Sequence, residues 1–122
     1  MSAAVSRTIL FAAGFALWAA FSIVPGADGP AIREGWDRAL YWQLGVPVLF
    51  AVQAAVSAFS RERARTEPLW ALAGHFAAML AVHPRGTDAA LLPLAILFIG
   101  APGYGALLLA ALAGRRWGPR SA

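Results

Sequence analysis

The stretch AALLPLAILFIGAPGYGALLLAALAG, residues 89–114, decides the fold class of this chain because it contains no charged side chain. An α-helix rises about 1.5 Å per residue, so roughly 20 apolar residues cross the hydrocarbon core of a bilayer, which is about 30 Å thick. Residues 89–114 are therefore numerous and apolar enough to form a transmembrane helix.

Three further stretches lack charged residues in the same way when histidine is counted as neutral: 8–27, 39–60 and 68–84. Only 13% of the 122 residues are charged, whereas a soluble domain has about 25%. The four stretches leave no room for a separate soluble domain. We therefore expect one all-α domain, residues 1–122, in which a polytopic membrane protein forms a compact bundle of four transmembrane helices. The predicted spans are about 8–25, 39–60, 68–83 and 89–114.

The arginines indicate how the helices are oriented, because cytoplasmic loops carry an excess of basic residues. Alternating spans put seven arginines on one side of the membrane and three on the other. This distribution predicts that both termini are cytoplasmic. All ten basic residues are arginine, which indicates a GC-rich coding bias, and we expect a multi-pass protein of the bacterial cytoplasmic (inner) membrane. The larger group comprises Arg7, Arg61, Arg63, Arg65, Arg115, Arg116 and Arg120; the smaller comprises Arg33, Arg38 and Arg85.

The composition argues against several kinds of chemistry. The chain has no cysteine, which excludes disulfides, thiolate catalysis and Cys-ligated metal sites. His75 and His83 are eight residues apart on one predicted helix, about 12 Å along its axis, so one metal ion cannot bind both. The arginines lie beside membrane spans and act as topology signals. We expect no catalytic residue, cofactor or metal ion, and no nucleic acid partner.

Small residues recur at four-residue spacing in every span, which would allow close helix packing in lipid. Two segments should disturb the helices. Pro47 should kink the second helix or displace a backbone hydrogen bond, and GAPGYG (100–105) should kink or unwind the fourth. In the connection at 25–38, AIREGW could form a short interfacial helix. The spaced small residues are Ala12, Ala16 and Ala20; Ala51 and Ala55; Ala73, Ala77 and Ala81; and Ala101 and Gly105.

Three of the polar residues inside the predicted spans form a candidate midplane site: Gln53, His75 and Tyr104. Gln53 and His75 both lie about 10 Å from the interface shared by their helices. Antiparallel packing would bring them level, and we predict a hydrogen bond between them, direct or through one water. This bond would be a polar clamp between helices, or part of a ligand or proton-relay site.

A second candidate site lies at the outer rim, where His83 ends the third span at the depth of the start of the second. It would combine Asp37, Tyr41, Gln43 and His83, and His83 could then sense pH. The alternative is a solvated interfacial histidine.

These features predict a structural, accessory or assembly subunit of a membrane complex with no catalysis of its own. The alternative is a homo-oligomeric transporter or channel for a small solute that uses Gln53 and His75. An intramembrane enzyme or redox subunit is the least favoured hypothesis, since no nucleophile, acid–base pair or ligand set is present. The expected partners are the lipid bilayer and either further copies of the chain or a larger membrane complex.

Overall fold

A computed structural model of the chain describes residues 1–82 and 92–119. This part of the chain is mostly helical and contains four α-helices. Three helical segments are long and apolar enough to cross a membrane: Ala3–Ser22, Tyr41–Phe59 and Pro93–Trp117. The prediction of a largely helical chain with long apolar helices is confirmed. The helices are α1 (Ala3–Ser22), α2 (Val46–Phe59), α3 (Glu67–Ala81) and α4 (Leu92–Trp117).

The first helix begins five residues before the predicted span. The side chain of Ser2 accepts a hydrogen bond from the backbone N–H of Val5 at 3.3 Å, which satisfies one of the free donors at the start of a helix. The helix therefore includes Arg7, which lies one turn from its beginning and outside the uncharged stretch.

A short β-hairpin follows α1, and its first residues, Ile23 and Val24, lie in the predicted first span, which therefore ends earlier than expected. Strands β1 (Ile23–Gly26) and β2 (Gly29–Ile32) pair antiparallel, with Ile23 opposite Ile32 and Gly26 opposite Gly29. Gly29 adopts a φ of 115°, a conformation that only glycine adopts readily. The interfacial helix expected in AIREGW is reduced to one 3₁₀ turn, Gly35–Asp37.

The disturbance predicted at Pro47 takes the form of a π-helical turn, Tyr41–Gly45, directly before α2. The backbone N–H of Val46 donates to the carbonyl of Tyr41, five residues earlier. Proline has no N–H to continue the normal ladder, and the wider turn precedes it while Pro47 occupies the first turn of α2. The π-turn sets the direction of Tyr41.

Of the two disturbances predicted in the fourth helix, the unwound segment is wrong, and the kink stays a prediction. Helix α4 is continuous through residues 100–105, with Pro102 inside it. A single interior proline removes one backbone hydrogen bond, and helices in an apolar environment tolerate this loss.

Glycines, more than the spaced alanines, form the closest helix contacts. Helix α1 packs mainly against α3, and α2 mainly against α4. A Cβ added to Gly14 would lie 1.8 Å from the carbonyl oxygen of Ala71, and one on Gly74 would lie 1.9 Å from that of Phe11. The backbones of α1 and α3 therefore touch, which requires residues without side chains.

The predicted alanine faces point away from these contacts. In α1, for example, Ala12, Ala16 and Ala20 are all exposed, and Ala51 and Ala55 are exposed in α2. In an alanine-rich helix the same spacing occurs on several faces, so spacing alone does not identify the packed one. Of the remaining members Ala77 is half-buried, while Ala73, Ala81, Ala101 and Gly105 are exposed.

The start of α1, the end of α4 and the connection between α2 and α3 lie at one end of the bundle. The terminal amino group of Met1 donates to the carbonyl of Phe59 at 2.9 Å. Arg115, near the end of α4, donates to the carbonyl of Glu62. We call this the arginine-rich end.

Candidate functional site

Tyr41 and His75 form a buried polar pair away from the arginine-rich end of the bundle. The Tyr41 hydroxyl and His75 Nε2 lie 2.7 Å apart, and the two residues are only 2% and 3% exposed. The π-turn supplies Tyr41, and the middle of α3 supplies His75. The pair therefore joins two elements at a point that is shielded from solvent.

Aromatic rings surround this pair. The ring of Trp18 from α1 lies edge-on to His75, with 5.5 Å between centroids, and Trp36 lies 5.0 Å from Trp18. The indole N–H of Trp18 donates to the carbonyl of Val82 at 2.7 Å, which provides the partner that a buried indole needs. These contacts fix the orientation of the His75 ring.

A cavity of about 260 Å³ lies beside the Tyr41–His75 pair. Its walls come from α1, the π-turn, α2, α3 and α4, and the segment around Pro102 and Gly103 forms part of them. None of the described residues that line it is charged. They are Leu17, Tyr41, Trp42, Val46, Leu49, Phe50, Leu72, His75, Phe98, Ile99, Pro102, Gly103, Ala106 and Leu107.

A second polar group lies nearer the arginine-rich end and links three helices. Gln53 donates to the hydroxyl of Ser57 at 3.0 Å, and Ser57 donates to the Glu67 carboxylate. Arg115 from α4 donates to the other Glu67 oxygen at 3.0 Å. We call these four residues the polar chain. It pairs a fully buried carboxylate with a cation, as burial of charge requires.

Glu62, in the connection between α2 and α3, forms an ion pair with Arg7 of α1. The hydrogen bond from Arg7, joined by one from the backbone of Arg63, lowers the pKa of Glu62 from 4.5 to about 2. The Thr66 hydroxyl also donates to this carboxylate, at 3.0 Å. The pair ties the start of α1 to the connection.

The three residues of the predicted midplane site are held at three different places. Gln53 binds Ser57, His75 binds Tyr41, and the Tyr104 hydroxyl donates to the carbonyl of Arg65 at 3.0 Å. Gln53 and His75 form no direct hydrogen bond, so the direct form of the predicted bond is wrong, and a bond through one water stays a prediction. Equal depth in two helices does not fix the faces from which side chains project, and each residue bonds to another partner.

The predicted outer-rim site is also divided. Tyr41 is buried against His75, whereas Asp37 and Gln43 are exposed. His83 lies outside the described residues, so its part in that site stays a prediction.

The sequence did not predict that Glu67 and Arg115 form a buried pair. Both residues flank uncharged stretches, and the arginine is interpreted there as a signal of membrane orientation. One signal was available for the rest of the polar chain: Gln53 and Ser57 are four residues apart and so share a helix face. Nothing in the sequence indicated that Tyr41 would reach His75, since the π-turn sets that direction.

The chain matches no protein-family model, no curated protein and no solved structure.

Proposed function

We propose that this chain is a non-catalytic structural or accessory subunit of a larger membrane complex. In this proposal its four helices cross the bacterial cytoplasmic membrane and both termini lie in the cytoplasm.

The observation that carries the proposal is the uneven burial of the long helices. In the most apolar part of α4, 11% of the residues are buried within the bundle, against 28% for each of the other two long segments. Large side chains on α4 such as Leu97, Phe98 and Leu109 are more than 60% exposed. Helix α4 therefore offers an apolar surface to lipid or to another membrane protein.

The buried polar groups support the same proposal. Ser57, Glu67 and Arg115 bond to each other across three helices, and Tyr41 bonds to His75. These bonds hold the bundle together, which suits a protein whose surface has to keep a fixed shape. A transport path through Gln53, His75 and Tyr104 would need them to line one passage, but they bond to three separate partners.

The test is purification of the tagged protein from its native membrane in a mild detergent, followed by native mass spectrometry. We expect one copy of the chain with a larger partner in fixed stoichiometry. Replacing Leu97 and Leu109 of α4 by alanine should release that partner. The matched control replaces Leu44 and Val48, exposed residues at the start of the second long segment, and should retain it. A stable dimer or larger homo-oligomer with no partner would instead favour the transporter.

A further inference from the structure

We propose that the cavity beside Tyr41 and His75 binds a neutral, lipid-soluble ring compound that carries a carbonyl oxygen, such as a quinone. The Tyr41–His75 pair donates a hydrogen bond to that oxygen. The inference concerns binding alone and does not depend on the proposed accessory role.

The Tyr41–His75 pair has one more hydrogen-bond donor than its mutual bond requires. A neutral tyrosine and a neutral histidine carry one O–H and one N–H hydrogen between them. Their mutual bond of 2.7 Å uses one. If Tyr41 donates to Nε2, the other nitrogen, Nδ1, keeps an unused N–H; if Nε2 donates, Tyr41 keeps an unused O–H. Either tautomer leaves one donor without an acceptor, and an oxygen acceptor on a ligand would satisfy it.

Among the described residues, the pair has a buried polar atom without a hydrogen-bond partner. Nδ1 of His75 is buried and has no hydrogen-bond partner among the described residues. Burial of a polar atom without a hydrogen-bond partner is unfavourable. Both residues line the cavity, so a ligand there would contact this pair.

The size and the lining of the cavity indicate that the part of the ligand beside the carbonyl oxygen is a ring. Its volume of about 260 Å³ is just below the ~300 Å³ at which pockets for small molecules begin, which suits one substituted ring. Aromatic side chains of Tyr41, Trp42, Phe50 and Phe98 line the wall, and such side chains pack favourably against a planar ring. A charged lipid headgroup would find no opposite charge among the described lining residues.

The cavity also has an entrance suited to a lipid-soluble compound. Two of the lining residues, Trp42 and Phe98, are 52% and 71% exposed. The cavity therefore reaches the surface between the start of the second long segment and α4, where acyl chains would surround a protein embedded in a bilayer. A ligand dissolved in the membrane can enter without crossing the polar interface.

The test titrates decylubiquinone into the protein in phosphatidylcholine nanodiscs and follows tryptophan fluorescence, which a quinone bound near Trp18 and Trp42 should quench. We expect saturable quenching. Ala106→Leu fills the cavity and should leave only the linear quenching caused by quinone dissolved in lipid. Ala110→Leu, one turn further along α4 and outside the lining, is the matched control and should bind like the wild type.

The hydrogen bond is tested separately. Replacing both members of the pair, Tyr41→Phe with His75→Leu, removes both donors and should weaken binding about tenfold, the loss of roughly one good hydrogen bond. Tyr104→Phe removes a hydroxyl that binds Arg65 outside the cavity and should have no effect. Decylbenzene, which has the ring and chain but no oxygen, should fail to displace the quinone, and this arm needs no variant to fold.

Three results would overturn the proposal: linear quenching in the wild type, equal binding by wild type and Ala106→Leu, or recovery of tryptophan fluorescence when decylbenzene is added at the same concentration as decylubiquinone. Displacement by methyl decanoate at equal concentration would assign the oxygen site to a lipid ester and overturn the ring assignment.

Discussion

Glu67 has no exposed side-chain surface, and its two partners, Ser57 and Arg115, come from α2 and α4. Buried polar residues of this kind hold the helices together. Apolar contacts alone do so poorly in a membrane, because an apolar side chain packs equally well against lipid. Glu67 directly precedes the predicted span 68–83, so hydropathy alone leaves it outside that span. Its burial depends on contact with Arg115 of α4, and the arginine distribution predicts only that the two residues lie at the same end of the bundle.

Replacing Glu67 with alanine should therefore destabilise the protein strongly. The change leaves the half-buried Arg115 without its carboxylate, and removal of one partner of a buried pair costs about 3–5 kcal/mol, with the lower value appropriate because Arg115 is partly exposed. Thermal unfolding in detergent should show a clearly lower midpoint for Glu67→Ala. Asp28→Ala, in the exposed turn of the hairpin, is the control, and equal midpoints for the two variants would show that the pair contributes nothing.

Acid should weaken the protein through Glu62. Its pKa is lowered from 4.5 to about 2, mainly by the hydrogen bond from Arg7. A lowered pKa in the folded state means that the stabilisation is complete above about pH 4.5 and disappears as the pH falls toward 2. Glu62→Gln should flatten the fall in thermal midpoint over this interval, whereas Asp37→Asn, an exposed carboxylate, should leave it unchanged. An equal fall of the thermal midpoint with pH in the wild type and in Glu62→Gln would contradict a stabilising role for the ionised Glu62.

At the scale of whole elements, hydropathy located the helices well, because about 20 uncharged apolar residues have few alternatives to a helix in this composition. It did not locate the hairpin at Ile23–Ile32, whose pairing depends on Gly29 at positive φ. It also did not show which face of each helix packs. That choice follows from three-dimensional fit at a few glycines, while the alanines of one helix look alike in sequence.

The contact between α1 and α3 gives a direct test of that fit. Gly14→Ala would place a methyl group 1.8 Å from the carbonyl oxygen of Ala71, so the helices have to separate. We expect destabilisation of about 1–3 kcal/mol, the usual cost of overpacking. Gly105→Ala, where a Cβ meets nothing within 4 Å, should be neutral or slightly stabilising because alanine favours helix. The comparison is made by chemical or thermal unfolding, and similar losses in both variants would refute the close approach.

At the scale of the whole molecule, the main question is whether α3 crosses the bilayer. It has 15 residues, about 22 Å at the helical rise, which is less than a typical hydrocarbon core. In the structure it nevertheless runs from Glu67 at the arginine-rich end to Val82, whose carbonyl accepts from Trp18 in the last two turns of α1. Helix α3 therefore extends along most of α1, and a short third span would cross with little tilt or with local thinning of the bilayer.

The absence of cysteine makes this question answerable with single-cysteine variants in intact cells. We expect Ser2→Cys and Pro119→Cys to be protected from a membrane-impermeant maleimide, and Asp28→Cys to be labelled, because four crossings return the chain to the side on which it began. If α3 does not cross, the chain makes three crossings and Pro119→Cys is labelled together with Asp28→Cys. Labelling after permeabilisation controls for accessibility at each position. Protection of Asp28→Cys with labelling of the other two would instead invert the orientation that the seven-to-three distribution of arginines predicts.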